Sequence, residues 1–208
     1  MSSELKTNKI SPATGTALTL ADSGDTLTLP SGATLSIASG ATITNSGTAT
    51  GFGGLTEADT WRLTTGFTGD ALPITTNWER DDTYAFGVLG TGRSESSGIF
   101  SFPSTGYWLV QFHARCNIYG SDRLITPAIY VTTDNSTYNR ATIPSIHIYP
   151  TSSGVTYSST TSEKMLDVTD TANIKVQFGV DVGNSSTSTS GDTSQNTTYA
   201  TFMKLGDT

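Results

Sequence analysis

Few residues in this sequence carry the chemistry of catalysis, and their spacing works against it. His113 and His147 are the only histidines, and Cys116 is the only cysteine. The sequence holds no HExxH, GxSxG or P-loop pattern, and no His-x-His or CxxC pair with zinc-ligand spacing. His113 sits in the run Trp108-Leu109-Val110-Gln111-Phe112-His113-Ala114-Arg115-Cys116. Strand alternation there puts Trp108, Val110, Phe112, Ala114 and Cys116 on one face and His113 on the other. The imidazole therefore meets solvent or a neighbouring subunit rather than a substrate. Cys116 reads as a small buried apolar side chain, and with no second thiol there is no intrachain disulfide.

Asp81-Asp82 is the nearest thing to a carboxylate pair. Consecutive side chains on a strand point to opposite faces, so the two would not cooperate as acid and base; in a turn they are ordinary Asx residues. Asp81, Asp82 and Asp181 are the calcium candidates, and nothing around them resembles a dedicated loop. Gly90-Thr91-Gly92-Arg93-Ser94-Glu95 has two glycines of a phosphate cradle without the third, and reads as a hairpin connection. The polar run 183–192 reads as a mobile solvated loop, or as part of a recognition tip where nearby tyrosines stack on sugars. The expectation is a protein with no catalytic residue, no cofactor and no metal.

The bulk composition narrows the partners. A net charge of −7, with only 11 Lys and Arg, excludes nucleic acid and a polybasic membrane contact. Charged residues make up 14% of the chain, where about a quarter is usual. Serine and threonine supply the missing polarity, and with 21 glycines they point to strands and turns. No stretch approaches the ~18 apolar residues of a membrane span. Met1-Ser2-Ser3-Glu4-Leu5-Lys6 lacks the apolar core of a secretory signal, so synthesis in a cytoplasm is expected.

Two kinds of element must organise the chain. Ser-Gly pairs at Ser23-Gly24, Ser31-Gly32, Ser39-Gly40 and Ser46-Gly47 recur at spacings of 8, 8 and 7. Each is a turn, and each run between them alternates apolar and hydroxylic residues like a four-residue strand. Leu27, Leu29, Leu35, Ile37 and Ile43 are too few to enclose a core in one chain. Three chains wound about one axis, each giving one apolar stripe, would bury them as an inter-subunit stalk core; a disordered linker and a single-chain solenoid are the competing readings. Leu55–Leu63 reads as a single helical turn capped by Thr56 with Asp59 three residues on, followed by Trp61 and Leu63 docking onto the next domain.

From residue 61 aromatics become frequent and strand-length runs recur at sandwich spacing. Strands are expected near 62–68, 83–88, 98–102, 106–117, 124–132, 142–149, 173–182 and 197–205. Ile174, Val176, Phe178 and Val180 share a buried face, as do Ala200 and Phe202. Tyr199, Thr201, Met203 and Leu205 make the other side of the last strand apolar too, which suits a central strand or one touching a subunit neighbour.

Two stretches carry a resemblance. Glu4-Leu5-Lys6-Thr7-Asn8-Lys9-Ile10-Ser11-Pro12-Ala13-Thr14-Gly15 and the repeats, together covering residues 4–54, resemble the N-terminal part of tail-fibre-like proteins of marine phages, particularly cyanophages. Gly98-Ile99-Phe100-Ser101-Phe102, then Gly106-Tyr107-Trp108-Leu109-Val110-Gln111-Phe112 and the ending Tyr199-Ala200-Thr201-Phe202-Met203-Lys204-Leu205, resemble the C1q/TNF-like jelly roll. The resemblance implies a tight homotrimer on a fibrous stem that binds ligands rather than catalyses. The stem here has no Gly-X-Y triplets, and the family's calcium-binding residues have no counterpart.

The combined expectation is an all-β homotrimer with four parts. Residues 1–20 attach to other virion proteins, 21–54 form a repeat-built intertwined β stalk, 55–60 a junction and 61–208 a C1q/TNF-like jelly-roll head. The function expected is that of a short fibre, whisker or tail-fibre component, assembled in the host cytoplasm, whose head contacts a host glycan or envelope protein. A collar or decoration protein keeps the fold without receptor binding, and a capsule depolymerase is the enzymatic rival.

Overall fold

The computed structural model describes residues 10, 20, 23–44, 55–85, 87–150 and 154–208. They belong to two units, Met1–Thr50 and Gly51–Thr208. The attachment segment (apart from Ile10 and Leu20), the Ser46-Gly47 pair and the glycines at 51–54 lie outside the described residues.

In the first unit, Ser23-Gly24, Ser31-Gly32 and Ser39-Gly40 each form a turn. The Ala33 amide donates to the Pro30 carbonyl at 3.0 Å, and the Ala41 amide to the Ala38 carbonyl at 3.0 Å. Gly32 and Gly40 take φ of 82° and 83°, the left-handed geometry that the third position of a type II turn demands. Between the turns, the described residues 25–30, 33–38 and 41–44 form no strand. An extended run becomes a strand only when a neighbour accepts and donates along its length, and one chain turning every eight residues brings no such neighbour alongside.

The second unit is an all-β sandwich, with no helix among the described residues. Its strands are β1 (Ala58–Leu63), β2 (Phe67–Thr68), β3 (Trp78–Arg80), β4 (Ser94–Ser96), β5 (Ile99–Ser101), β6 (Gly106–Ile118) and β7 (Asp122–Thr132). They continue with β8 (Asn139–Arg140), β9 (Ile146–Ile148), β10 (Thr156–Val168), β11 (Lys175–Val182), β12 (Ser188–Thr189) and β13 (Tyr199–Gly206). In the first sheet β6 is flanked by β10 and β13, and β1 and β3 follow β13. The β2–β12 pair joins the far end of β6 at Cys116 and Asn117. The second sheet runs β4-β5-β11-β7, with β8 and β9 both pairing with β7. Every pairing is antiparallel, which leaves one face of each sheet for the core.

The core forms where the inner faces meet. Trp108, Val110, Phe112, Ala114 and Cys116 of β6 are buried, as alternation requires, and so are Val176, Phe178 and Val180 of β11. Phe178 lies 4.9 Å from Phe112 and 5.1 Å from Phe100 between ring centroids, and Trp78 stands edge-on to Phe100 at 5.2 Å. These separations suit offset or edge-to-face aromatic pairs, so the rings add directional contact to the area they bury.

Three expectations are corrected. Residues 55–63 are not a helical turn: Ala58–Leu63 is β1, held between β13 and β3. Asp59, expected at the third position of a helix capped by Thr56, instead accepts from another loop together with Glu57. The Glu57 carboxylate takes the Thr91 amide at 3.0 Å and the Gly92 amide at 3.1 Å, and Asp59 takes the Arg93 amide at 2.7 Å. The Gly90–Arg93 loop is thus an anion cradle filled by the chain's own carboxylates. The strand expected at 83–88 is not formed among the described residues, where Tyr84 and Ala85 have left-handed φ of 52° and 63°. Lastly, the long strand β10 was not expected. Its surface is Ser and Thr with few apolar residues, so no alternation marks it.

Glu57→Ala removes the acceptor for the Thr91 and buried Gly92 amides and the carboxylate nearest the Arg93 guanidinium. It should lower stability by about 1–3 kcal/mol in urea denaturation. No loss would mean that water satisfies the cradle equally well.

Candidate functional site

Cross-strand partners point to the same side of a sheet, so the register orders the outward face of the first sheet into rows. One row is apolar: Ala58 of β1, Met203 of β13, Leu109 of β6 and Met165 of β10. Met165 is exposed and the other three are half-buried. The next row is polar, with Thr60, Thr201, Gln111 and Glu163. Thr60 and Thr201 share a hydroxyl contact at 3.4 Å, and the Gln111 amide donates to Glu163 at 3.2 Å. The third row places Arg62, Tyr199, His113 and Thr161 side by side. His113 stacks on Tyr199 with centroids 5.1 Å apart, and its Nδ1 lies 2.9 Å from the Thr161 hydroxyl. Partial burial lowers its pKa below the ordinary imidazole value. Beyond it, the Arg115 guanidinium lies 4.2 Å from the Tyr157 ring centroid.

At the β3 edge, Arg62 collects the carboxylates that the sequence separates. Its Nε donates to Glu79 at 2.7 Å, one Nη to Asp81 at 2.9 Å and the other to Asp82 at 2.6 Å. Its side chain is only 1% exposed. Asp81 and Asp82 lie in the loop after β3 rather than on a strand, and the same guanidinium fork reaches both. The other Asp81 oxygen accepts from the Asn196 amide at 2.7 Å, and the Thr83 hydroxyl reaches the Ser194 carbonyl at 3.2 Å. Asp81, Thr83, Tyr84, Ser194, Gln195 and Asn196 line an open polar depression of about 490 Å³.

The remaining sequence candidates are structural. Cys116 is buried against the Thr189 hydroxyl at 3.6 Å, and burial raises its thiol pKa. His147 packs edge-on to Tyr149, and Asp181 pairs with Arg140 at 2.9 Å. Among the described residues no cluster of His, Cys, Asp and Glu could hold a metal ion. The 183–192 segment is not a free loop. Asp122, 1% exposed, accepts from the Gly183 and Asn184 amides and the Thr187 hydroxyl, and Ser188–Thr189 enters the first sheet. Sequence reasoning missed Arg62, Asp122 and the Tyr84 depression, since each depends on contacts across more than ten residues.

In the repeat unit, Leu27 and Leu35 are 67% and 64% exposed, and Leu29, Ile37 and Ile43 are exposed as well. The predicted stalk residues thus have no cover from their own chain.

No family model matches the sequence, and no curated protein is similar to it. Solved structures are similar in fold. An Eiger TNF structure from S. frugiperda aligns at 14% identity and a TM-score of 0.50, covering 73% of this chain and 93% of that one. A murine APRIL structure at pH 5.0 aligns at 12% identity and a TM-score of 0.48, covering 72% of this chain and 98% of that one. The second unit is a TNF-like jelly roll.

The lowered His113 pKa has a definite pH signature. Above the ordinary value of about 6.5 the ring is neutral whether folded or unfolded, and contributes nothing. As pH falls below that value, the unfolded chain takes up the proton first, so stability drops until the folded pKa is passed. In thermal melts at low salt between pH 7 and 5, His113→Asn should flatten part of this decline. An unchanged slope would place the titration elsewhere.

Proposed function

We propose that this chain is a non-catalytic structural protein of a phage virion, a homotrimeric short fibre, whisker or tail-fibre component. Residues 1–20 attach it to other virion proteins, the repeats at 21–54 wind with two further copies into a stalk, and the jelly-roll head meets the host surface, where it binds glycans. Assembly takes place in the host cytoplasm.

The observation that supports this reading most is the regular exposure of apolar residues in the repeats. Leu27, Leu35 and Ile43 recur every eight residues and Leu29 and Ile37 at the same interval, all exposed. Each exposed leucine or isoleucine forgoes about 1.5–3 kcal/mol of burial in a lone chain. Winding three copies together recovers it, because each chain has one apolar stripe and the three stripes close on an axis. The apolar row of the first sheet offers a contact surface in the head: Met203, Leu109 and Met165 cross three adjacent strands, with Tyr107 and Leu205 exposed beside them. Three heads on one stalk raise the effective concentration of each binding site, so weak single-site affinity suffices.

Light scattering on the full chain should give three times the 21.8 kDa chain mass at micromolar concentration. Met203→Asp puts an unpaired charge into the proposed contact and should cost about 4 kcal/mol, weakening assembly roughly a thousandfold. A monomeric parent protein, or a variant that assembles unchanged, would remove this reading of the head. Host-envelope pull-down then separates the roles: capture supports attachment, and an intact trimer with no capture favours a collar or decoration protein.

A further inference from the structure

Resting on the glycan-binding reading above, we propose that the depression between the loop after β3 and the segment before β13 is the sugar site. Its ligand is a neutral pyranose, and the exposed Tyr84 ring is the platform on which that sugar stacks.

Three observations converge there. First, Tyr84 is 85% exposed, the most exposed of the large apolar side chains among the described residues of the second unit. Tyr84 and Ala85 both have left-handed φ, at 52° and 63°, although neither is glycine. L-residues seldom adopt that geometry, and it persists only where surrounding structure imposes it. The ring stands exposed at this turn. An aromatic ring presents an electron-rich face, and the axial C–H face of a pyranose carries partial positive charge, so the two stack.

Second, the floor beside the ring offers donors and acceptors rather than apolar surface. Asp81, Gln195 and Asn196 supply a carboxylate and two primary amides, the groups that meet paired hydroxyls on adjacent sugar carbons. Asp81 is held in place before any ligand arrives, by Arg62 at 2.9 Å on one oxygen and Asn196 at 2.7 Å on the other. The Arg62-bound oxygen also takes the Thr83 amide at 3.2 Å, so the oxygen facing Asn196 is the one that retains capacity for a sugar hydroxyl. The depression, about 490 Å³, falls within the 300–1,000 Å³ of small-molecule sites.

Third, charge selects the ligand class. Arg62 brings one positive charge, against three negative ones from Glu79, Asp81 and Asp82, and its side chain is almost fully covered. Asp81 is the charged residue lining the depression and the cluster behind it sums to net negative, which disfavours uronic or sialic acids, while neutral hexoses meet no such barrier. Tyr119 is also highly exposed, at 76%, but the depression does not include it.

The test is binding of the full-length trimer to immobilised neutral and acidic oligosaccharides, with Tyr84→Ala, Gln195→Ala and Tyr119→Ala compared under identical conditions. Both loop positions are exposed, so folding should survive, and matched thermal melts verify it. The inference expects binding to neutral glycans only, a loss of at least tenfold in Tyr84→Ala, a smaller loss in Gln195→Ala and none in Tyr119→Ala. Binding that survives Tyr84→Ala, or that favours acidic glycans, would overturn the site and leave the glycan-binding reading standing. A parent protein that captures host envelope protein but no glycan would overturn both.

Discussion

The constraint on which the second unit depends is the strict alternation of β6. This thirteen-residue strand has partners along both edges, β10 throughout and β13 over most of its length, so it cannot turn a residue aside without breaking two ladders. Its inward residues carry Trp108 and Phe112 into the aromatic core, and its outward residues carry Leu109, Gln111, His113 and Arg115. A slip of one residue would exchange the two sets, placing Gln111, His113 and Arg115 among Phe100, Phe178 and Phe202. Register and core composition therefore fix each other. The outward face inherits its order from this, since apolar, amide and imidazole rows follow directly from the pairings of β6 with its neighbours.

Charges inside the sandwich follow a second logic. Arg93 is 2% exposed, with its guanidinium 3.6 Å from the Trp108 ring centroid and its nearest carboxylate, Glu57, 3.8 Å away. Burial pulls its pKa down to about 10, with the Glu57 and Asp59 carboxylates opposing the fall, so it stays charged near neutral pH. The indole face offsets part of the lost hydration, and Asp59 takes the Arg93 amide, the Trp61 indole N–H and the Arg80 guanidinium together. A buried cation is weak evidence for stability, because a well-packed apolar residue often does as well. What this one does is tie β1 to the loop before β4, two stretches with no ladder between them apart from the single bridge of Ala58 to Leu89.

Much of this was legible in the sequence, and the failures share a cause. The turns at Ser23, Ser31 and Ser39, the buried faces of β6, β11 and β13 and the outward position of His113 all follow from local alternation. β1 was misread because Thr56 and Asp59 stand at helix-cap spacing. A strand edge offers amides to carboxylates just as a helix start does, and only the distant Gly90–Arg93 loop decides which is meant. β10 was invisible because Ser158, Ser159, Thr160 and Thr161 give no apolar period; its place is fixed by pairing with β6. Asp81 and Asp82 looked independent until Arg62, some twenty residues earlier, supplied one cation for both. Sequence patterns report what a residue hides from water, and they say little about which distant partner it meets.

The two units leave apolar surface uncovered in different ways, and this bears on how assembly would proceed. The described repeat residues have no core, so in the proposed stalk their apolar side chains would gain burial only as other copies arrive, and their ordering would be coupled to association. The sandwich buries a core of its own, and its apolar row offers further area. In the proposed trimer, head contacts between folded domains would resemble a rigid docking, whereas the repeats would lose chain entropy as they wind. Docked heads would bring three repeat segments to high local concentration and so offset that entropic cost. For the proposed trimer this favours one order of assembly: folded heads first, the stalk afterwards.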